Sequence, residues 1–133
     1  MTLPFNPERI AYACYLCGSV REVRDLAEAA SRSSVGGGFV QLFANREEIR
    51  KRLLQAYLSS LVRRREGMMR SKSIDKEMFL MLSDEQNISR AIERFGATDA
   101  GDFILFASDS KTASSFIRSQ KIRVKKRYRL TLS

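Results

Sequence analysis

The stretch at residues 70–96, RSKSIDKEMFLMLSDEQNISRAIERFG, contains the clearest structural signal in the chain. Residues 77–82 (EMFLML) form a short apolar run, long enough for a buried strand and too short for a helix of its own. Ser83 and Gln86 then have the Ser-x-x-Gln spacing of a capping box, in which each side chain satisfies a free backbone donor at a helix start. This part of the sequence therefore predicts a strand that leads into a capped helix.

The same stretch also predicts the body and the end of that helix. Its apolar residues recur at i, i+3, i+4 and i+7, which places them on one face: Ile88, Ala91, Ile92 and Phe95. Gly96 follows, where a glycine in the left-handed conformation commonly ends a helix.

The rest of the chain continues this alternation of strands and helices. Apolar or alternating runs predict strands at residues 10–17, 39–43, 77–82, 103–107 and 122–132. Helical spacing predicts helices from a capping box at 19–22 to about 30, from Asn45 to about Arg65, at 83–95, and after Asp109. We therefore expect a mixed α/β fold: a single domain over residues 1–133, with a mixed sheet of about four to five strands covered by about four helices.

The charge of the chain indicates binding rather than catalysis. The formal net charge is +9, and the sequence contains no histidine. Such a charge is typical of nucleic-acid binding, although an acidic membrane surface, an acidic protein or solubility alone would also account for it. The absence of histidine removes the usual general base and the commonest transition-metal ligand. We expect a domain that is not an enzyme and holds no metal or cofactor.

The only two cysteines, Cys14 and Cys17, have the spacing of redox and zinc motifs. Zinc would need two further ligands, and residues three apart on a strand point to opposite faces. We therefore interpret both as buried core residues in a protein of a reducing, cytoplasmic compartment. Gly36 to Gly38 lacks the Gly-Lys-Ser/Thr ending of a phosphate-binding loop, which favours a hinge or bulge loop.

Three basic groups are the main candidates for ligand binding, although each such run alone is usually a solvated face. They are Arg63 to Arg65 with Arg70 and Lys72, then Arg90 with Arg94, and finally the tail at 118–129. Because the chain has no tryptophan, contact with phosphates is better supported than stacking on bases. Asp75 and Glu77, which could share one strand face, have no motif around them that favours acid–base chemistry.

Residues 68–107 resemble a known family signature. The matching residues are a basic loop, Met69-Arg70-Ser71-Lys72-Ser73, then Glu77 in an apolar segment, and then Leu82-Ser83, Asn87-Ile88, Ala91-Ile92 and Phe95-Gly96. Together they resemble the small kinase-binding subunit of the KEOPS (EKC) complex, also called the PRPK-binding protein family.

The resemblance implies a non-catalytic subunit with two partners. These are the small atypical kinase/ATPase of KEOPS and tRNA, including its single-stranded 3′ end, in support of N6-threonylcarbamoyl-adenosine synthesis. On this basis we expect tRNA contacts at Arg64, Arg65, Arg70, Lys72, Ser73 and Asn87. For the kinase we expect contacts at Phe95, Phe116 and Ile117. The alternatives are a stand-alone basic nucleic-acid-binding module or, more remotely, a thiol redox protein that uses Cys14 and Cys17.

Overall fold

A four-stranded sheet lies at the centre of the fold in the computed structural model, which describes residues 5–33, 38–97 and 101–132. The strands are β1 (Ala13–Gly18), β2 (Val40–Ala44), β3 (Phe103–Ala107) and β4 (Arg123–Arg127). Their order in the sheet is β2-β3-β1-β4, and all three pairings are antiparallel. The helices are α1 (Val23–Arg32), α2 (Glu47–Arg65), α3 (Ile74–Leu82), α4 (Ile88–Phe95) and α5 (Ser110–Ser119), with a 3-10 turn at Pro7–Arg9.

Helices cover both faces of the sheet, so the core has two halves. Alternate side chains of β2 point to opposite faces: Phe43 packs with α2, α3 and α4, whereas Leu42 packs with α1 and α5. β3 is buried at all five positions because it lies between β2 and β1 and is covered on both faces. The expected mixed α/β fold is confirmed.

The third expected strand was wrong, because residues 77–82 belong to helix α3. Helix α3 packs between α2 and α4 over the sheet, so it is buried nearly all round and lacks the polar face of a surface helix. Its composition favours a helix, since Met, Leu, Lys and Glu predominate and the only β-branched residue is Ile74. The apolar run is therefore the C-terminal two-thirds of a helix that begins at Ile74.

The helix boundaries differ in detail from those expected. Ser19 accepts a hydrogen bond from Arg21 N at 3.0 Å in a turn, and α1 begins only at Val23. Ser83 ends α3, and Asn87 caps α4 by accepting from the N–H groups of Ser89 and Arg90. Both expected capping boxes were therefore wrong. The cap expected at Asn45 was also wrong, because Arg46 is the N-cap of α2.

Gly96 ends α4 for a different reason from the one expected. Its backbone is extended (φ −76°, ψ 159°), so the left-handed conformation was wrong. A Cβ at this position would lie 2.5 Å from the carbonyl oxygen of Ile92, and the residue forms a bridge to Phe43 of β2. Close approach of two backbone segments therefore requires the glycine. The cap expected at Asp109 is confirmed, since its carboxylate accepts from Thr112 N at 2.7 Å.

The basic tail is an edge strand with an irregularity. All five side chains of β4 are exposed, and the pairing with β1 shifts register between Leu16 and Cys17, opposite Lys125. One extra residue in a strand reverses the faces that follow it, so Ile122 packs in the core half with α1 and α5, whereas Tyr128 and Leu130 pack in the half with α2, α3 and α4. The tail remains attached beyond β4, where Tyr128 N donates to Cys14 O at 2.8 Å.

Candidate nucleic-acid interface

The loop at residues 68–73, called here the basic loop, begins at a left-handed glycine after α2. Gly67 has φ 68°, and its N–H donates to Arg64 O. Met68 N donates to Arg63 O at 2.8 Å. These two bonds form a Schellman motif, which satisfies the last carbonyls of α2 and turns the chain sharply into the loop.

A buried carboxylate holds the basic loop in place. Glu77 on α3 is fully buried, and its Oε1 accepts from Arg70 N at 3.0 Å, Ser71 N at 2.9 Å and Ser71 Oγ at 2.8 Å. Its Oε2 lies 4.0 Å from Arg63 Nε and makes no hydrogen bond. One side chain therefore connects the end of α2, the loop and α3, so the loop is fixed before any ligand binds.

A cavity of about 230 Å³, the loop cavity, opens between the basic loop, the end of α2 and the start of β2. Its walls include three of the residues expected to bind RNA: Arg64, Lys72 and Ser73. Arg64 and Lys72 are exposed, and Ser73 does not use its hydroxyl to cap α3. The structure thus brings two cations and a free hydroxyl group to one opening. The other lining residues are Gly38, Phe39, Tyr57, Leu61, Met69, Ile74 and Asp75.

The wall of the loop cavity also includes a carboxylate, that of Asp75. Asp75 is only 2% exposed, and its Oδ2 accepts from Gln41 Nε2 at 2.9 Å. Gln41 Oε1 in turn accepts from Leu42 N at 2.9 Å, on the outer edge of β2. Gln41 therefore both satisfies that strand edge and orients Asp75, and Asp75 can accept further hydrogen bonds.

An aromatic pair supports the cavity from beneath. Phe39 and Tyr57 meet edge to face with ring centroids 5.7 Å apart, and both are nearly buried. Burial raises the pKa of Tyr57, although the nearby Arg64 opposes that rise. Tyr57 is therefore a neutral phenol at physiological pH, able to donate or accept a hydrogen bond.

The remaining residues expected to bind RNA lie outside this wall. Arg70 is exposed on the basic loop and reaches Glu77 through its backbone, and Arg65 is in the last turn of α2. Asn87 follows the opposite end of α3 and caps α4, so it does not join the loop cavity. Its cap pattern could have been recognised in the sequence, since an asparagine directly precedes the helical run.

The residues expected to bind the kinase lie mainly in the two core halves. Phe95 is 7% exposed and packs in the half with α2 and α3, with the guanidinium groups of Arg46 and Arg94 over its ring. Phe116 is 5% exposed in the other half, and Ile117 is partly buried beside it.

A larger groove, the β2 groove, was not expected from the sequence. It encloses about 470 Å³ along the outer edge of β2, between α1 and the α3–α4 pair. Its apolar floor and charged rim come from elements that are distant in the chain, so no single segment signals it. The lining residues are Arg24, Ala27, Glu28, Ser31, Arg32, Gln41, Leu42, Lys76, Phe79, Ile92, Gly96 and Ala97.

The two cysteines are free and buried in opposite halves of the core, as the strand alternation predicts. Burial raises the pKa of each thiol to about 12, which keeps both protonated and unreactive at neutral pH. Within the described ranges, no three Cys, Asp or Glu side chains lie close enough together to hold a metal ion. Over the same ranges, none of the helices has the length and hydrophobicity needed to cross a membrane.

Comparison with known proteins identifies the family of the chain. The family described as "Kinase binding protein CGI-121" matches residues 49–131, from the first turn of α2 to beyond β4. The chain belongs to this family. The matched span contains the basic loop, Glu77 and most of the loop cavity, so the resemblance to the kinase-binding subunit is confirmed. No curated protein matches the chain in a sequence search.

Proposed function

We propose that this CGI-121 family member is a non-catalytic subunit of the KEOPS complex. In this role it binds tRNA, including the 3′ end, together with the small kinase/ATPase of the complex, and supports threonylcarbamoyl-adenosine modification of the tRNA. The family match supports the kinase contact, and the loop cavity supports the RNA contact.

The observation that carries the RNA contact is the meeting of Arg64, Lys72 and Ser73 at one rigid opening. Two exposed cations can neutralise phosphates, and the hydroxyl can donate to a phosphate oxygen. The buried Asp75 carboxylate can accept from a ribose hydroxyl or an exocyclic amino group, which simple phosphate attraction would not require. A neutral Tyr57 adds a further polar contact.

The size of the loop cavity favours a strand end over a duplex. At about 230 Å³ it is smaller than a typical drug-sized pocket, and it opens between a loop and a strand end. One unpaired nucleotide can enter such a space, whereas the stacked bases of a duplex cannot. The 3′ end of tRNA is unpaired and fits this requirement.

The β2 groove is the surface that we assign to the kinase. Its floor offers partly exposed apolar side chains such as Ile92 and Ala27, whereas Phe95 and Phe116 would support the surrounding surface from beneath. The rim has three cations, Arg24, Arg32 and Lys76, and one carboxylate, Glu28. A kinase segment with apolar anchors and flanking carboxylates would complement both features.

The RNA contact is tested by comparing full-length tRNA with tRNA that lacks its 3′-CCA, across a salt series. We expect the truncated tRNA to bind more weakly at every salt concentration. The variant Arg64→Gln/Lys72→Gln should lose most of this discrimination. The slope of log Kobs against the logarithm of the salt concentration should also fall in magnitude by about 1.4, or about 0.7 per lost phosphate contact.

The matched control is Arg118→Gln/Arg123→Gln, which removes the same charge at the opposite end of the sheet. It should retain the discrimination. Equal binding of both tRNAs and of random duplex, with one steep salt slope, would instead indicate a stand-alone basic module that binds by counterion release.

The kinase contact is tested by measuring complex formation with the purified KEOPS kinase. Ser31→Trp places a large side chain at the exposed rim of the β2 groove and should weaken binding by at least tenfold. Ser115→Trp, exposed on α5, is the control and should bind normally. Equal affinity of the two variants would exclude the groove as the kinase surface.

A further inference from the structure

A second cavity, the strand-end cavity, lies where β1 begins and β4 ends. It encloses about 630 Å³, and none of its lining residues carries a carboxylate. Two arginines, Arg127 and Arg129, line it together with Tyr12 and Tyr128. The other lining residues are Ile10, Ala11, Ala13 and Ser110.

The backbone positions these cations firmly. Tyr128 N donates to Cys14 O at 2.8 Å, and Leu130 N donates to Tyr12 Oη at 2.8 Å, so the chain is fixed on both sides of Arg129. Arg127 extends from β4 with its guanidinium 5.9 Å from the centre of the Tyr15 ring. Across the ranges the structure describes, neither arginine forms an ion pair, so both remain available to an anion.

The strand-end cavity and the loop cavity lie at the same end of the sheet. Val40 of β2 and Ala13 of β1 both pair with Ala107 at the end of β3, which aligns the three strand ends. A buried row of rings connects the walls of the two cavities from beneath: Phe39 lies 6.1 Å from Phe106, and the fully buried Phe106 lies 5.8 Å from Tyr12. Three strand spacings separate β2 from β4, which corresponds to about 14 Å.

Asp109 follows β3 at this end of the sheet, and its carboxylate is already satisfied. It accepts from Thr112 N at 2.7 Å and Thr112 Oγ1 at 2.9 Å as the cap of α5. Its charge therefore complements the positive end of that helix. A phosphate chain that crosses this end of the sheet would meet cations at both ends of its path.

We propose that a single RNA strand with its end in the loop cavity crosses this end of the sheet, and that its phosphates reach Arg127 and Arg129 in the strand-end cavity. This inference rests on the proposed RNA contact and extends it to the unpaired nucleotides upstream of the terminal one. At about 3.4 Å per stacked nucleotide, the path of about 14 Å corresponds to roughly four nucleotides.

The test measures binding of two single-stranded RNAs that share the tRNA 3′-end sequence, one too short to reach β4 and one long enough. We expect the variant Arg127→Gln/Arg129→Gln to bind the long RNA about tenfold more weakly, or weaker still. Its salt slope should fall by about 1.4, while binding of the short RNA is unchanged. Arg64→Gln/Lys72→Gln should weaken both RNAs.

Arg118→Gln/Arg123→Gln is again the control for charge, and Arg123 lies at the other end of the same strand. Since all of the substituted side chains are exposed, we expect the variants to fold, which their thermal unfolding will show. The inference is overturned if the Arg127→Gln/Arg129→Gln variant binds the long RNA as tightly as this control does. It is also overturned if the variant loses the same affinity for both RNAs. If the wild-type protein does not prefer the 3′ end, the proposed RNA contact itself fails, and the inference fails with it.

Discussion

The basic loop and the end of the basic strand β4 lie at the same end of the sheet, and different forces hold them. The basic loop depends on one buried group, the Glu77 carboxylate, which accepts three hydrogen bonds from Arg70 and Ser71. The basic strand β4 depends on backbone pairing with β1, and all its side chains are exposed. A single side-chain change should therefore displace the loop, whereas no single side chain of β4 should be essential for folding.

This difference also separates two ways of presenting cations to an anion. In the loop, burial of a negative charge brings neighbouring N–H groups and Arg63 together, so stability and binding geometry are coupled. In the strand, the geometry belongs to the sheet, so its cations can change without cost to the fold. Measuring both the stability and the RNA affinity of the same variants can therefore distinguish the loop from the strand.

The largest expected effect is that of Glu77→Ala. Removing this carboxylate leaves buried N–H groups without an acceptor, so we expect the free energy of unfolding to fall by about 3 kcal/mol or more. Denaturant unfolding provides the measurement, and RNA affinity should fall as well because the loop loses its position. Glu48→Ala, at an exposed site on α2, is the control. A loss below about 1 kcal/mol would mean that the loop does not depend on Glu77.

The next largest expected effect is a loss of stability at high pH, caused by the two cysteines of β1, the strand that supports β4. Burial raises the pKa of Cys14 and Cys17 to about 12 from an ordinary value of 9.0. The unfolded chain therefore releases these protons at lower pH than the native protein, so stability should be constant below about pH 9 and fall between about pH 9 and 12.

The measurement is denaturant unfolding at increasing pH for the wild type and for Cys14→Ala/Cys17→Ala. The variant should lose less stability above pH 9, even if it is less stable at neutral pH. Rapid alkylation of the native thiols at pH 8 would contradict the burial of β1 and would favour the alternative of a thiol redox protein.

A smaller effect is expected from Asn87→Ala. The side chain caps α4 through two N–H groups and lies away from the loop cavity, so we expect a loss of about 1 kcal/mol in stability. RNA affinity should remain unchanged under conditions where the variant is folded. A selective loss of RNA affinity would show that Asn87 contacts the ligand, as the family resemblance suggested.

The smallest effect should come from Asp102→Asn, which removes the ion pair that Asp102 forms with Lys125 of β4 at 2.9 Å. Because both side chains are about one-third exposed or more, we expect a change within about 0.5 kcal/mol. Thermal unfolding of this variant and of Glu77→Ala under the same conditions compares how much the strand and the loop each depend on one carboxylate. Losses of similar size in the two variants would show that β4 also depends on a single carboxylate.

Much of the fold could be predicted from local pattern. The strands β1, β2 and β3, the helix α4 and the Asp109 cap each have a signal within a few residues. Helix α3 could not be recognised by its period, because a helix buried all round has no polar face. The capping boxes expected at Ser19 and Ser83 were wrong for a local reason. Both serines match the sequence pattern, but their hydroxyl groups form hydrogen bonds to neighbouring backbone groups instead.

The sequence alone determined the mixed α/β class, the positive charge, the inert cysteines and the basic loop, since all depend on composition or on short-range order. Only the tertiary structure decided that Glu77 holds that loop, that Asp75 faces Gln41, and that Arg64 and Lys72 share a cavity. These contacts join α2, α3 and β2. A side chain finds such partners only after the helices have packed on the sheet, because burial makes its hydrogen bonds obligatory.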